Sequence, residues 1–161
     1  MNCHNCEIPL VWDGLSPVIA CNICRAYRFV DTPDGSGDCI IPLHLTGDSC
    51  CPCCRRQMSL AAIDGLKVEH CAECQGVLLP NRVFAMFVQN RRAEFRESAL
   101  QPAILIAERR LKRVNCPKCR HAMRAHPSYG PHLIVIDSCV PCGIVWLDCH
   151  QLISSAVDLV R

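Results

Sequence analysis

Long apolar runs are missing from this sequence. No window approaches the roughly 18 to 20 continuous apolar residues of a membrane span. The first twenty residues have neither a basic start nor a run of seven apolar residues, and they carry two cysteines, His4, Glu7 and Asp13. The expectation is a soluble chain with no secretory signal and no transmembrane segment, kept in the reducing cytoplasm. Two further absences concern chemistry. The seven histidines show no zinc-protease spacing, and no cysteine pair lies in the βαβ context that thioredoxin-like redox chemistry needs. Catalytic zinc keeps an open position and usually takes His or carboxylate ligands, and neither is visible. A protein that is not an enzyme, with no small-molecule substrate, is expected.

What is abundant is cysteine, 16 of 161 residues. In a reducing compartment such a fraction points to metal sites rather than disulfides. The cysteines fall largely into pairs two residues apart: Cys3/Cys6, Cys21/Cys24, Cys51/Cys54, Cys71/Cys74, Cys116/Cys119 and Cys139/Cys142. Six knuckles make three couples, with gaps of 14, 16 and 19 residues inside them, close to the spacing of four-cysteine zinc sites. Three zinc ions, each held by four thiolates, are expected. Iron held rubredoxin-fashion is the minor alternative, which the colour of the purified protein decides.

An internal repeat supports the grouping. Leu10, Met58 and Met123 each stand four residues after the second cysteine of a first knuckle, and Cys51-Pro52-Cys53-Cys54-Arg55 aligns with Cys116-Pro117-Lys118-Cys119-Arg120. Cys50/Cys53 shares the two-residue spacing, but the proline and methionine positions favour Cys51/Cys54 as ligands. Cys39, Cys50, Cys53 and Cys149 are left over, read as small buried apolar residues or reserve thiols. A fourth site from Cys39, His44, Cys50 and Cys53 would crowd the second. Alternating stretches before the knuckles, Leu66/Val68/His70 and 133–136, read as strands, with Gly65 and Tyr129-Gly130-Pro131 supplying turns. His70 is expected to point away from the metal.

Between the second and third couples, Phe84, Phe87, Val88 and Phe95 recur at helical spacing from Asn81 to about Ala99. Gln101-Pro102 interrupts, so a second helix from Pro102 to about Val114, or one helix kinked at Pro102, is expected. Their apolar stripes are expected to bury against each other and the ribbons, or to dock on another subunit. The fold class that results is a small metal-stabilised α+β protein of three zinc β-ribbons, with a helical segment between ribbons two and three and a short C-terminal helix. Its divisions are ribbon 1 over 1–38, ribbon 2 over 47–80, the basic helical segment over 81–114, and ribbon 3 with its closing helix over 115–161.

The formal charge of +2 conceals a polarised chain. Residues 82–124 hold eleven of the 17 basic side chains and three carboxylates. Four-thiolate zinc adds −2 per site, which takes the loaded protein to about −4. Arg91, Arg92, Arg109, Arg110, Lys112 and Arg113 are the candidate partner-binding residues of the basic stretch.

The third couple, Cys116-Pro117-Lys118-Cys119 through Cys139-Val140-Pro141-Cys142-Gly143-Ile144-Val145-Trp146-Leu147-Asp148 with Gln151-Leu152, resembles the transcription factor IIB-type zinc ribbons of small bacterial proteins. The resemblance is strongest over 116–152, weaker over 51–84, where Leu78 and Pro80 replace the tryptophan and aspartate, and is limited to the cysteines over 3–24. It implies a zinc-ribbon fold and does not by itself imply a transcriptional role. Trp146 is expected to cover the metal site, with an exposed, partner-gripping ring as the alternative. Asp148 suits the N-cap of a helix from about Cys149 to Val160. Two functions follow: a non-catalytic adaptor or accessory subunit binding other proteins in a larger assembly, or a nucleic-acid-binding, transcription-associated module using the basic segment 82–124.

Overall fold

The computed structural model describes residues 1–3, 5–33, 40–95, 113–127 and 135–148, with the backbone alone at 92–95 and 127. Strands β1 (Val18–Ala20) and β2 (Tyr27–Phe29) form a two-stranded antiparallel ribbon. Seven strands make a second sheet: β3 (Ile41–Cys50), β4 (Gln57–Ile63), β5 (Leu66–His70), β6 (Val77–Pro80), β7 (Arg124–Pro127), β8 (Val135–Cys139) and β9 (Ile144–Leu147). Their order is β3-β4-β5-β6-β9-β8-β7, antiparallel throughout. One helix, α1 (Asn81–Phe95), is found among the described residues.

The two repeats join through equivalent strands. Leu78 and Trp146 each stand four residues after the second cysteine of a knuckle, and they are partners in the β6–β9 ladder. Val77 pairs with Leu147 and Leu79 with Val145. A pseudo-two-fold axis therefore passes through the Leu78–Trp146 pair. Side chains alternate faces along a strand, so Val77, Leu79, Val145 and Leu147 enter one apolar layer while Leu78, Ile144 and Trp146 enter the other. Both faces of these central strands are buried, which is why β6 and β9 read as unbroken apolar runs.

Helix α1 closes the first layer with Val83 and Phe87, and Phe84 and Met86 pack against it half-buried. The layer also takes Tyr27 and Phe29 of the N-terminal ribbon. The hub is the two-residue turn Asp64–Gly65 between β4 and β5, where both residues have positive φ (49° and 72°) as a type I′ hairpin requires. Phe29 N–H and Thr32 Oγ1 donate to the Gly65 carbonyl at 2.7 and 3.1 Å. Asn90 Nδ2 donates to the Asp64 carbonyl, and Arg91 ion-pairs with the Asp64 carboxylate at 2.9 and 3.0 Å. The outer strand β3 carries two register shifts, Pro42, and His44 at φ 55°, devices that keep a free sheet edge from pairing with another chain.

The fold class expected from the sequence is thereby corrected. The described chain is dominated by β structure and has one helix, and the second and third ribbons are not separate units around a helical segment. Each alone would leave a free edge at β6 or β9, with unpaired backbone groups. Pairing the two edges satisfies them, and α1 serves as a lid on the joint sheet. The expected second helix falls almost wholly, and the C-terminal helix wholly, outside the described residues.

Candidate metal centres

Each of the three expected couples converges. Cys3/Cys6/Cys21/Cys24, Cys51/Cys54/Cys71/Cys74 and Cys116/Cys119/Cys139/Cys142 each bring four Sγ atoms within 4.8 Å of one another, and these are groups that could hold a metal ion. Cross-knuckle sulfurs stand 3.4–3.6 Å apart, as in Cys3–Cys24, Cys6–Cys21, Cys51–Cys74, Cys54–Cys71 and Cys119–Cys139. A disulfide requires about 2.05 Å, whereas a tetrahedron with metal–sulfur bonds of about 2.3 Å has edges near 3.8 Å. The donor set fits a four-coordinate, thiophilic cation.

The knuckles share one backbone design. In five of them the first cysteine's carbonyl accepts the N–H four residues on, and its N–H donates to the carbonyl five residues on; Cys51 shows 2.9 Å to Arg55 and 2.7 Å to Arg56. That closure forces the residue after the second cysteine into the left-handed region. Glu7, Arg25, Arg55, Gln75 and Arg120 adopt it with φ of 58–65°, and Gly143 does so in the sixth knuckle. The turn also aims N–H groups at sulfur, since Cys53 and Cys54 N–H donate to Cys51 Sγ at 3.4 and 3.5 Å. Such bonds stabilise thiolate.

Within each cluster the thiols split in acidity. In the first, burial pushes Cys3 up to about 12. At Cys21 burial is outweighed by N–H groups of Cys24 and Ile23, and the thiol falls to about 7. In the second, burial raises Cys74 to about 11 and Cys51 higher still. Cys71 is lowered, because N–H bonding and Cys54 outweigh its burial. In the third, the backbone and side chain of His121 bring Cys119 down to about 6, while hydrogen bonding to Cys119 and then burial lift Cys142 to about 12. Four like charges this close cannot all form unaided. A bound cation is what lets all four thiols ionise together.

The clusters sit differently in the fold. The second and third share one apolar layer, in which Met58, Leu78, Val114, Met123, Ile144 and Trp146 lie between their buried cysteines. The first has a small layer of its own, Cys3, Cys21 and Ala26 with Leu10 against it. His70 is buried on β5, with its Nε2 3.2 Å from Gln75 Oε1, outside the thiol groups.

Several expected placements are corrected. Trp146 is fully buried (0% exposed), so its ring grips no partner; it fills the layer between two clusters. A Cβ on Gly76 would come within 2.3 Å of that ring, so glycine is required there. Arg91 is buried in the Asp64 ion pair, with its guanidinium 5.2 Å from the Phe87 ring centroid, and so does not belong to a surface patch. Of Cys50 and Cys53, expected as small buried residues or reserve thiols, Cys50 is exposed and Cys53 half-buried, so neither is a fully buried residue. Arg113 is exposed. Cys39, Arg109, Arg110, Lys112 and Cys149 lie outside the described residues, as does the side chain of Arg92.

One surface escaped the sequence reading, the turn from Ile8 to Ser16; its signal was Val11-Trp12-Asp13-Gly14-Leu15, apolar residues flanking a turn dipeptide. The first hairpin of ribbon 3 falls within the expected basic segment 82–124, and the structure adds the register that sets Arg113 opposite Arg124. Comparison with protein-family models, curated proteins and solved structures gave no match. No helix among the described residues is long and apolar enough to cross a membrane.

Proposed function

We propose that the chain is a non-catalytic structural protein with three zinc ions, acting in the reducing cytoplasm as an adaptor or accessory subunit that docks a protein partner. Zinc is the ion that closed four-thiolate tetrahedra of this size commonly hold, and the resemblance of 116–152 to a zinc ribbon supports it. Four protein thiols fill the tetrahedron and leave no position for a substrate, which favours a scaffold over a catalyst.

The observation that carries the adaptor reading is the turn of ribbon 1. Val11, Trp12 and Leu15 are 86, 51 and 90% exposed, yet the turn is built rather than loose. Asp13 Oδ1 accepts from Leu15 and Ser16 N–H at 2.9 and 3.0 Å, and Trp12 Nε1 donates to the Ser16 carbonyl at 2.7 Å. Ile8 and Ile23 of the same ribbon are exposed as well. A pre-shaped aromatic and aliphatic tip is the usual anchor of a protein interface.

Affinity purification from the native host tests the reading. A stoichiometric protein should survive washing at high salt and be lost from Trp12→Ser/Leu15→Ser protein whose metal content is unchanged. A chain that elutes alone, or a partner indifferent to both substitutions, would overturn it.

A further inference from the structure

We propose that the solvent face of the first hairpin of ribbon 3 binds the phosphate backbone of a nucleic-acid duplex without reading its sequence. The proposal stands apart from the apolar turn of ribbon 1 and does not depend on it.

Arg113, Lys118, Arg120 and Arg124 are all exposed on this hairpin, as are His121 and His126. No aspartate or glutamate occurs from Arg113 to Ile136, and the first carboxylate after them, Asp137, is buried on β8 opposite Ala125. The bridge Asn115–Ala122 and the bond from Met123 N–H to the Val114 carbonyl set the register. It places Arg113 opposite Arg124. Val114 and Met123 turn inward between them, so both arginines share the outer face. Like charges directly opposed across a strand pair destabilise it. An anion between the two guanidiniums removes that cost.

The fold itself does not ask for these charges. Ribbon 2 is built on the same repeat, and at the matching positions it carries Asp48, Cys53, Arg55 and Ser59 instead of Arg113, Lys118, Arg120 and Arg124. One cation and one carboxylate serve there, where four cations stand in ribbon 3. Arg55 and Arg56 are both exposed at ribbon 2's knuckle, and Arg56 has an acidic neighbour, Glu73 at 3.7 Å. A thiolate-bound divalent ion beneath the ribbon 3 hairpin would contribute −2, which leaves the face positive.

The chemistry of the face favours phosphate. Three of the four cations are arginine, whose planar fork matches phosphate oxygens. No large apolar side chain is exposed from Arg113 to His126, so the face lacks the apolar anchors of a protein interface. It also presents no Phe, Tyr or Trp, the broad rings on which single-stranded bases stack best. What remains is backbone contact, which carries no sequence information.

Fluorescence anisotropy with the full-length, metal-loaded chain and a labelled duplex of about 20 base pairs tests this. Four phosphate contacts give a log–log salt slope of about −3 to −4. Replacing Arg113, Lys118, Arg120 and Arg124 together by glutamine should cost at least about ten-fold at 50 mM salt and flatten the slope by about 3. Arg55→Gln/Arg56→Gln protein should bind as the unaltered chain does. Native mass spectrometry checks that the metal count is kept. If the four-fold variant loses metal, Arg113→Gln/Arg124→Gln, outside the knuckle, serves in its place, with the slope flattened by about 2. Absence of duplex binding at 50 mM salt would overturn the proposal, as would a four-fold variant keeping over half the affinity. Tighter binding to polyglutamate would assign the face to an acidic protein, and tighter binding to single strands would assign it to unpaired bases; each outcome also refutes the proposal.

Discussion

The Asn90 side-chain amide closes both backbone hydrogen bonds of Tyr27: its Oδ1 accepts the Tyr27 N–H at 2.6 Å and its Nδ2 donates to the Tyr27 carbonyl at 2.9 Å. A helix side chain thus acts as the missing neighbour of strand β2 and fixes ribbon 1 to the body. Phe29 N–H and Thr32 Oγ1 add a second tie, donating to the Gly65 carbonyl. Asn90→Ala strands both Tyr27 groups and the Asp64 carbonyl, at an expected cost of about 2–3 kcal/mol. Hydrogen exchange should localise the damage, with protection lost at Tyr27 and across β1–β2 while β5, β6 and β9 keep theirs. Uniform loss over all strands would contradict the tie.

Asp64 and Arg91 form a buried pair, and removing one partner leaves the other charge uncompensated. Arg91→Met and Asp64→Asn should each destabilise by about 3–5 kcal/mol. The double replacement should cost clearly less than the sum, because no lone charge remains. Urea midpoints of the four proteins close the cycle, and additive losses would show that the pair is not coupled. Arg91→Met protein should bind duplex as tightly as the parent under conditions where both are folded.

The metal sites were legible because ligand chemistry imposes spacing on the chain: a turn that aims two sulfurs at one ion needs two residues between them. The repeat was legible for the same reason. How the ribbons join was not, since spacing within Cys71-Glu73-Cys74 says nothing about which edge β6 will seek. The clue lay in Val77-Leu78-Leu79 and Ile144-Val145-Trp146-Leu147, whose unbroken apolar character marks strands buried on both faces. Arg91 misled because charge patterning counts arginines without locating their partners. Asp64, 27 residues away in sequence, sits in a hairpin turn where an acidic residue ordinarily faces water. Trp146 was read at its own metal site, whereas the axis through Leu78 places it between two.

That axis makes a prediction about volume. Gly76 and Trp146 occupy the repeat positions that Ile144 and Leu78 hold in the other half, so a small residue beside a large ring balances two of middle size. Gly76→Ala forces a Cβ into the indole and should cost about 1–3 kcal/mol. Trp146→Leu, which leaves a cavity, should cost about 3 kcal/mol. In the double variant the new methyl enters the vacated space, so the losses should fall short of additive by at least about 1 kcal/mol. Thermal unfolding of the set measures it, and strict additivity would refute the volume exchange.

Metal removal should divide the molecule unequally. Native mass spectrometry is expected to find three zinc ions. Cys3→Ser/Cys21→Ser protein should lose one of them and keep its sheet, because the first cluster has its own small apolar layer. Cys71→Ser and Cys139→Ser should each weaken the second and third sites together, since Leu78, Ile144 and Trp146 pack against both sets of cysteines. Structural zinc contributes about 10–16 kcal/mol of apparent binding energy, more than a typical domain's whole stability, so full chelation should abolish the β-sheet signal in circular dichroism. Acid should act in the same direction: protons compete with metal for every thiolate. Burial holds the His70 imidazole below its usual value, so the folded chain protonates it less readily than the unfolded chain does. The contribution of His70 is whole above about pH 6.5 and lost as pH falls, because the unfolded chain then takes up the proton more readily. A metal-stripped sample that kept its full dichroism would show that the apolar layers suffice without the ions.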